Sequence, residues 1–220
     1  MNFTTVIFDL DGTLLDTLED LAAAANQALV MHGFSPRPAS DYRLLVGAGA
    51  RNLMTRAADH ASDEQIDSLL SAFSQAYDRN WADRTCPYDG ILELLKKLRA
   101  EGCRLAVVSN KPDVFTRQII RRYFADDLFD AVAGKMDGWP LKPDPALTLE
   151  ICRQIGADLS STALVGDSGS DMKTAVNAGL LPVGVLWGFR DSAELLAGGA
   201  RHLASDPSDL YNILAGGDAT

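Results

Sequence analysis

Two carboxylates stand two residues apart at the end of an apolar run, in Thr5-Val6-Ile7-Phe8-Asp9-Leu10-Asp11-Gly12-Thr13. Residues two apart on a strand point the same way, so Asp9 and Asp11 are aimed at one small volume. At about 4 Å and an effective dielectric near 20, their repulsion is ~4 kcal/mol. Such a pair calls for a shared metal, a shared proton or a turn that splays the two groups. Gly12 and Thr13 offer a tight turn whose backbone donors suit an anion. The bland reading of the same residues is that Asp9 caps a turn and Asp11-Gly12 is an ordinary loop.

Three further clusters carry similar chemistry. Gly166-Asp167-Ser168-Gly169-Ser170-Asp171 follows the apolar run at 163–165 and brings more carboxylates to a strand end. Oxygen ligands from two strand ends suit a hard cation such as Mg²⁺, which keeps some of its waters. Either Asp167 or Asp171 could instead cap the helix that follows. For Asp171, capping or support of a ligand competes with direct ligation. Ser109-Asn110-Lys111, after the run at 105–108, places a hydroxyl and backbone amides where phosphate oxygens could bind. Lys142-Pro143-Asp144-Pro145 supplies a compact positive charge on a stiffened backbone.

These clusters need a frame that gathers strand ends. Apolar runs at 5–8, 105–108, 163–165 and 183–186, with a weaker one at 131–133, read as strands buried on both faces of a parallel sheet. Helical patterns over 90–100, 115–124 and 146–155 separate them, which predicts an α/β fold with a doubly wound, Rossmann-like parallel sheet. In such sheets ligands bind beyond the carboxyl ends of the strands. Residues 16–81 break the rhythm with helices and no strand. The first helix spans 18–31, and Ser62-Asp63-Glu64-Gln65 reads as a capping box opening another that ends near Asn80. Gly47-Ala48-Gly49 marks a turn between them. The expected organisation is a core of residues 1–15 and 84–220 with a small α-helical cap, residues 16–83, inserted after the first strand. The tail, Gly216-Gly217-Asp218-Ala219-Thr220, is expected to fray.

The chain of 220 residues carries a net charge of −10. That sign argues against nucleic acid and against an anionic membrane surface. Cys86, Cys103 and Cys152 are odd in number and lack metal-like spacing, which fits a reducing compartment. The start of the chain has no basic, apolar leader and no apolar run long enough to cross a bilayer, so a cytoplasmic protein is expected.

As a set, Asp9 to Thr13, Ser109, Lys142 and Gly166 to Asp171 resemble the four motifs of the haloacid dehalogenase superfamily, in its phosphatase branch. The resemblance implies that Asp9 is the nucleophile that forms an aspartyl-phosphate. Asp11 would be the general acid and then the base, and its presence sets the chain apart from the dehalogenase branch. Ser109 and Lys142 would bind the transferring phosphoryl group. Mg²⁺ would be held by Asp9, Asp167 and the main-chain carbonyl of Asp11. Gly12, Thr13 and Asn110 would contact substrate.

Within the cap, Val46-Gly47-Ala48-Gly49-Ala50-Arg51-Asn52-Leu53 is similar to the substrate loop of bacterial phosphoglycolate phosphatases, as are Ser109-Asn110-Lys111-Pro112 and Trp187-Gly188-Phe189. That likeness implies a small phosphorylated metabolite as substrate, with 2-phosphoglycolate first. Arg51 would pair with its carboxylate, or would be a solvated helix residue, and Arg43 is a weaker candidate for that pairing. The core motifs equally suit a phosphomutase or a phosphatase of sugar phosphates, nucleotides or pyrophosphate. A non-enzymatic phosphate- or Mg²⁺-binding regulator is the alternative from another class. The expected assembly is a monomer or homodimer.

Overall fold

A computed structural model describes residues 3–216. The chain runs through β1 (Thr5–Phe8), β2 (Leu15–Asp16), α1 (Leu18–Met31), α2 (Ala39–Leu45), α3 (Ala50–Ala57), α4 (Asp63–Asn80), β3 (Cys86–Pro87), α5 (Ile91–Ala100) and β4 (Arg104–Pro112). It continues with α6 (Asp113–Tyr123), β5 (Ala131–Lys135), α7 (Ala146–Gln154), β6 (Thr162–Gly166), α8 (Gly169–Ala178), β7 (Leu181–Val185), α9 (Ser192–Gly198), β8 (His202–Ala204) and α10 (Pro207–Ala215).

Among the described residues, six strands form one parallel sheet in the order β5-β4-β1-β6-β7-β8. The unbroken apolar run of β1 is explained by its position. Val6 and Phe8 enter a core shared with α5, α6 and α10, while Ile7 enters a separate core with α7 and α8. Each residue of the strand is therefore buried on one face or the other, as a doubly wound sheet requires. The sixth strand, β8, escapes sequence reading because three residues are too few to establish a period. A second omission is the antiparallel ribbon pairing Leu15 with Pro87 and Asp16 with Cys86.

Between the two strands of that ribbon, α1 to α4 pack around their own apolar cluster, with Ala25, Leu29, Tyr42, Met54 and Leu69 at its centre. The helix α4 opens with the expected capping box: Gln65 N donates to Ser62 Oγ, and Ser62 N donates to Gln65 Oε1 at 2.8 Å. Asp20, buried near the start of α1, ties the two crossings together. Its carboxylate accepts from Arg84 N, Thr85 N and Thr85 Oγ1 at 2.8–3.1 Å. Gly216 caps α10 with φ of 90°; the rest of the tail expected to fray, 217–220, lies outside the described residues. No helix among them is long and apolar enough to cross a membrane.

Candidate active site

The carboxyl ends of β1, β4 and β6 converge because β1 is hydrogen-bonded to both neighbours. Asp9 leaves β1 with its backbone N–H still donating to Val165 O at 2.9 Å. Its carboxylate is buried, with Lys142 Nζ 2.9 Å from Oδ1 in an ion pair that lacks hydrogen-bond alignment. Lys142 itself is buried, and its Nζ also donates to Asp171 Oδ1 at 2.6 Å and to Val108 O at 2.9 Å. Burial pulls this ammonium down, but Asp171 and Asp9 outweigh it and hold Lys142 above its ordinary pKa. The motif order thus does bring Lys142 against Asp9, from a segment 133 residues later in the chain.

Asp167 comes from the end of β6. Its Oδ2 accepts from Phe189 N at 2.7 Å, and its Oδ1 faces Thr13 Oγ1 at 3.5 Å. Burial, then Asp171 and Asp9, push its carboxyl well above the usual range. Burial also raises Asp9, to about 6, against the pull of Lys142 and with a further push from Asp171. Carboxylate oxygens of Asp9, Asp167 and Asp171 lie within 4.8 Å of one another. Three buried carboxylates with one lysine are short of positive charge, and the Asp9 Oδ1 oxygen has no directed donor. A hard divalent cation fits this oxygen set. Asp171 is the least free of the three, because Lys142 holds Oδ1 while Ser168 N and Oγ hold Oδ2 in the capping box that opens α8. It caps the helix and holds the lysine, the supporting role of the two read from sequence for this side chain.

Asp11 is separated from this cluster. The chain after β1 winds through a single turn, with Leu14 N and Leu15 N both donating to Leu10 O. That turn directs the Asp11 carboxylate to Thr17 Oγ1 at 2.7 Å and to Lys111 Nζ at 2.6 and 2.8 Å. Each carboxylate of the pair therefore has its own lysine, and Asp11 is the weakest of the influences on Asp9. Lys111 is buried, stands 4.9 Å from the centre of the Tyr77 ring, and was given no role in the sequence reading. A period-2 count would have found it, since Ser109 and Lys111 are two apart on β4 and share a face.

Several expected contacts are placed differently. The Gly12 and Thr13 N–H groups do not face an anion. They close the turn, on Leu15 O at 2.8 Å and Leu10 O at 3.3 Å. Gly12 is required for another reason: its φ is +81°, and a Cβ there would collide with the Asp167 carboxylate. The Asn110 carboxamide is fully engaged as a strut, accepting from Lys142 N at 2.8 Å and donating to Gly47 O and Lys142 O. Arg51 is ion-paired with Asp67 on the exposed side of α3 and does not line the cavity beside Asp9. Arg43 reaches the other way, to Gly188 O at 2.5 Å. Ser109 is buried in the cavity wall, and its Oγ accepts from Lys111 N at 3.3 Å.

The cavity lies between the helical unit and the sheet. Its floor is Asp9, Asp11 and Ser109, and its roof includes Leu21, Val46, Leu53 and Tyr77. The loop after β7 ties the two sides together: Trp187 Nε1 donates to Thr13 O at 3.0 Å, and Arg190 Nη2 donates to Val46 O at 2.7 Å. Gly188 permits this approach, because a Cβ there would strike Asp167 and Gly12 O.

Residues 6–185 match the family model described as haloacid dehalogenase-like hydrolase. The chain is 35% identical over 195 residues to the phosphoglycolate phosphatase of Caulobacter vibrioides, covering 87% of this chain and 82% of that protein. It is 35% identical over 204 residues to the phosphoglycolate phosphatase of Psychrobacter arcticus, covering 89% and 88%. A crystal structure from Lactobacillus delbrueckii subsp. bulgaricus, provisionally named a phosphoglycolate phosphatase, superposes with a TM-score of 0.92 at 30% identity and covers 97% of this chain and 99% of that one.

Proposed function

This chain belongs to the haloacid dehalogenase-like hydrolases, as a phosphatase, and from that premise we propose that it hydrolyses 2-phosphoglycolate through an aspartyl-phosphate on Asp9. The observation that carries the proposal is the pairing of each carboxylate with a separate lysine, Asp9 with Lys142 and Asp11 with Lys111. Lys142 favours the ionised, nucleophilic form of Asp9, while Lys111 draws Asp11 out of the carboxylate cluster and holds it at the cavity, where a leaving oxygen would lie.

In the first half-reaction an Asp9 carboxylate oxygen attacks phosphorus and the ester P–O bond breaks. The leaving oxygen takes a proton from Asp11. In the second, Asp11 accepts a proton from water, the resulting hydroxide bonds to phosphorus, and the acyl-phosphate P–O bond breaks. Asp9 and inorganic phosphate are regenerated. Lys142 holds Asp9 against its buried neighbours and Ser109 offers its hydroxyl to a phosphoryl oxygen, so positioning and electrostatics carry most of the acceleration. Asp9 and Asp167 would hold Mg²⁺ with the Asp11 carbonyl, and the ion would neutralise charge on the phosphoryl oxygens. The helical unit, residues 16–83, acts as a cap that excludes water from the intermediate.

The test is phosphate release over a panel of phosphorylated metabolites, with Mg²⁺ and with chelator. The expected result is a preference for 2-phosphoglycolate that chelator abolishes, and no turnover by Asp9→Asn with its unfolding transition retained. Substantial activity in Asp9→Asn would remove Asp9 from the nucleophile's role.

A further inference from the structure

We propose that Lys111 reads the leaving group, by taking a carboxylate carried on the carbon next to the ester oxygen; this deepens the phosphatase reading and rests on it. Lys111 is the one cationic side chain among the described residues lining the cavity. The arginines around it are all engaged elsewhere: Arg51 on Asp67, Arg43 on Gly188 O, Arg56 on Leu44 O, and Arg190 on Val46 O and Glu194. Beyond Asp11 and Ser109 the walls are mainly apolar, with Leu21, Val46, Leu53, Phe73 and Phe115. An anionic leaving group desolvated there would meet no other positive partner, and an unpaired buried charge is costly.

Lys142 and the carboxylates it serves handle the phosphoryl end, so a second buried ammonium is not needed for that task. Its position is set by two contacts and a ring. Both Asp11 oxygens bind Nζ, at 2.6 and 2.8 Å, and the Tyr77 ring from the cap lies 4.9 Å away. Lys111 Nζ already donates to one carboxylate, that of Asp11, inside the cavity. An ammonium carries three protons, which lets it hold Asp11 and a substrate oxygen together.

Distance sets which substrates benefit. A group that protonates the leaving oxygen must lie within about 2.6–3.2 Å of it. Lys111 Nζ is a further hydrogen-bond length from the same carboxylate. The ammonium therefore stands within about two hydrogen-bond lengths, roughly 5–6 Å, of the ester oxygen. A carboxylate on the adjacent carbon falls inside that span. A charge at the far end of a sugar chain falls beyond it. Arg51, the residue expected from sequence to pair with the carboxylate, is replaced in this role by a lysine of β4.

The experiment measures kcat/KM, with Mg²⁺, for 2-phosphoglycolate, for 2-hydroxyethyl phosphate, in which an uncharged hydroxymethyl group replaces the carboxylate, and for an aryl phosphate. Wild type is expected to prefer the acid over 2-hydroxyethyl phosphate by roughly 10- to 100-fold, the range for a hydrogen bond to a charged partner. Lys111→Met is expected to lose most of that ratio, with the aryl phosphate losing less than the acid, and Lys111→Arg to recover part of it. A wild-type ratio near one would overturn the proposal without any variant, so a failure of Lys111→Met to fold leaves it decidable. An equal loss on all three substrates in Lys111→Met would also overturn it, reducing Lys111 to a support for Asp11. Metal-dependent turnover of the aryl phosphate by wild type separates these outcomes from failure of the phosphatase reading itself.

Discussion

Replacing Lys142 by methionine keeps most of the side-chain volume and removes the one positive charge within the Asp9, Asp167 and Asp171 cluster. In the native chain its Nζ lies 2.6 Å from Asp171 Oδ1 and 2.9 Å from Asp9 Oδ1, and the side chain is 4% exposed. Removing one partner from a buried ion pair leaves the other charge uncompensated and costs about 3–5 kcal/mol. For a domain of this size each kcal/mol shifts Tm by about 2–4 °C, so a fall of roughly 6–20 °C is expected in chelator. A divalent cation bound by these carboxylates would supply the charge that the variant lacks. Mg²⁺ should therefore raise the Tm of Lys142→Met by more than it raises wild type, since a ligand stabilises according to its affinity for the native state. Thermal unfolding followed by circular dichroism, with Mg²⁺ and with chelator, measures both quantities. A variant within about 2 °C of wild type in chelator would refute the argument that this cluster depends on Lys142 for neutrality. Equal responses of the two proteins to Mg²⁺ would refute the argument that lysine and metal answer the same charge.

Asp11→Asn should lower phosphate release by ~10²–10⁴, the usual loss for a general acid–base, and a wild-type rate would mean that Asp11 only shapes the loop and anchors Lys111. Arg51→Ala should leave 2-phosphoglycolate and aryl phosphate turnover close to wild type, because the side chain is ion-paired with Asp67 on the surface and does not line the cavity; a selective loss on the acid would return Arg51 to the substrate site. Without a metal, burial pushes the Asp9 carboxyl up from 3.8 to about 6. The native state then binds more protons than the unfolded chain between those two pH values, so Asp9 makes stability fall as pH rises through that window. Compared with Asp9→Asn, wild type in chelator should lose stability across it, as read by unfolding at a series of pH values; parallel profiles would show that Asp9 titrates normally.

The strand and helix plan was legible because its signals are local. The run Thr5-Val6-Ile7-Phe8 is apolar without alternation, and only a strand covered on both faces tolerates that. The capping box at Ser62 and Gln65 likewise announces α4 from four residues. The gathering of the candidate residues was legible too: Asp9, Lys142, Asp167 and Asp171, from distant parts of the chain, share one buried cluster because they follow strands of the same sheet.

Sequence could not decide where each polar atom points. Gly12 and Thr13 hold the donors expected of an anion-binding turn, yet the turn folds those N–H groups onto its own carbonyls. Arg51 is four residues beyond Gly47 in a loop that does reach the cavity wall, but the helix it opens turns the guanidinium toward Asp67. Lys111 had no assigned role beside Ser109 in the sequence and is the cavity's cation because β4 continues to Pro112 and the Tyr77 ring of α4 packs beside it. The amino-acid order determined which elements form and which carboxylates reach a common strand edge, because periodicity and caps act over a few residues. Pairing each acid with its own lysine was left to tertiary structure, since that depends on side chains 100 and 133 residues apart meeting across the sheet and the helical unit above it.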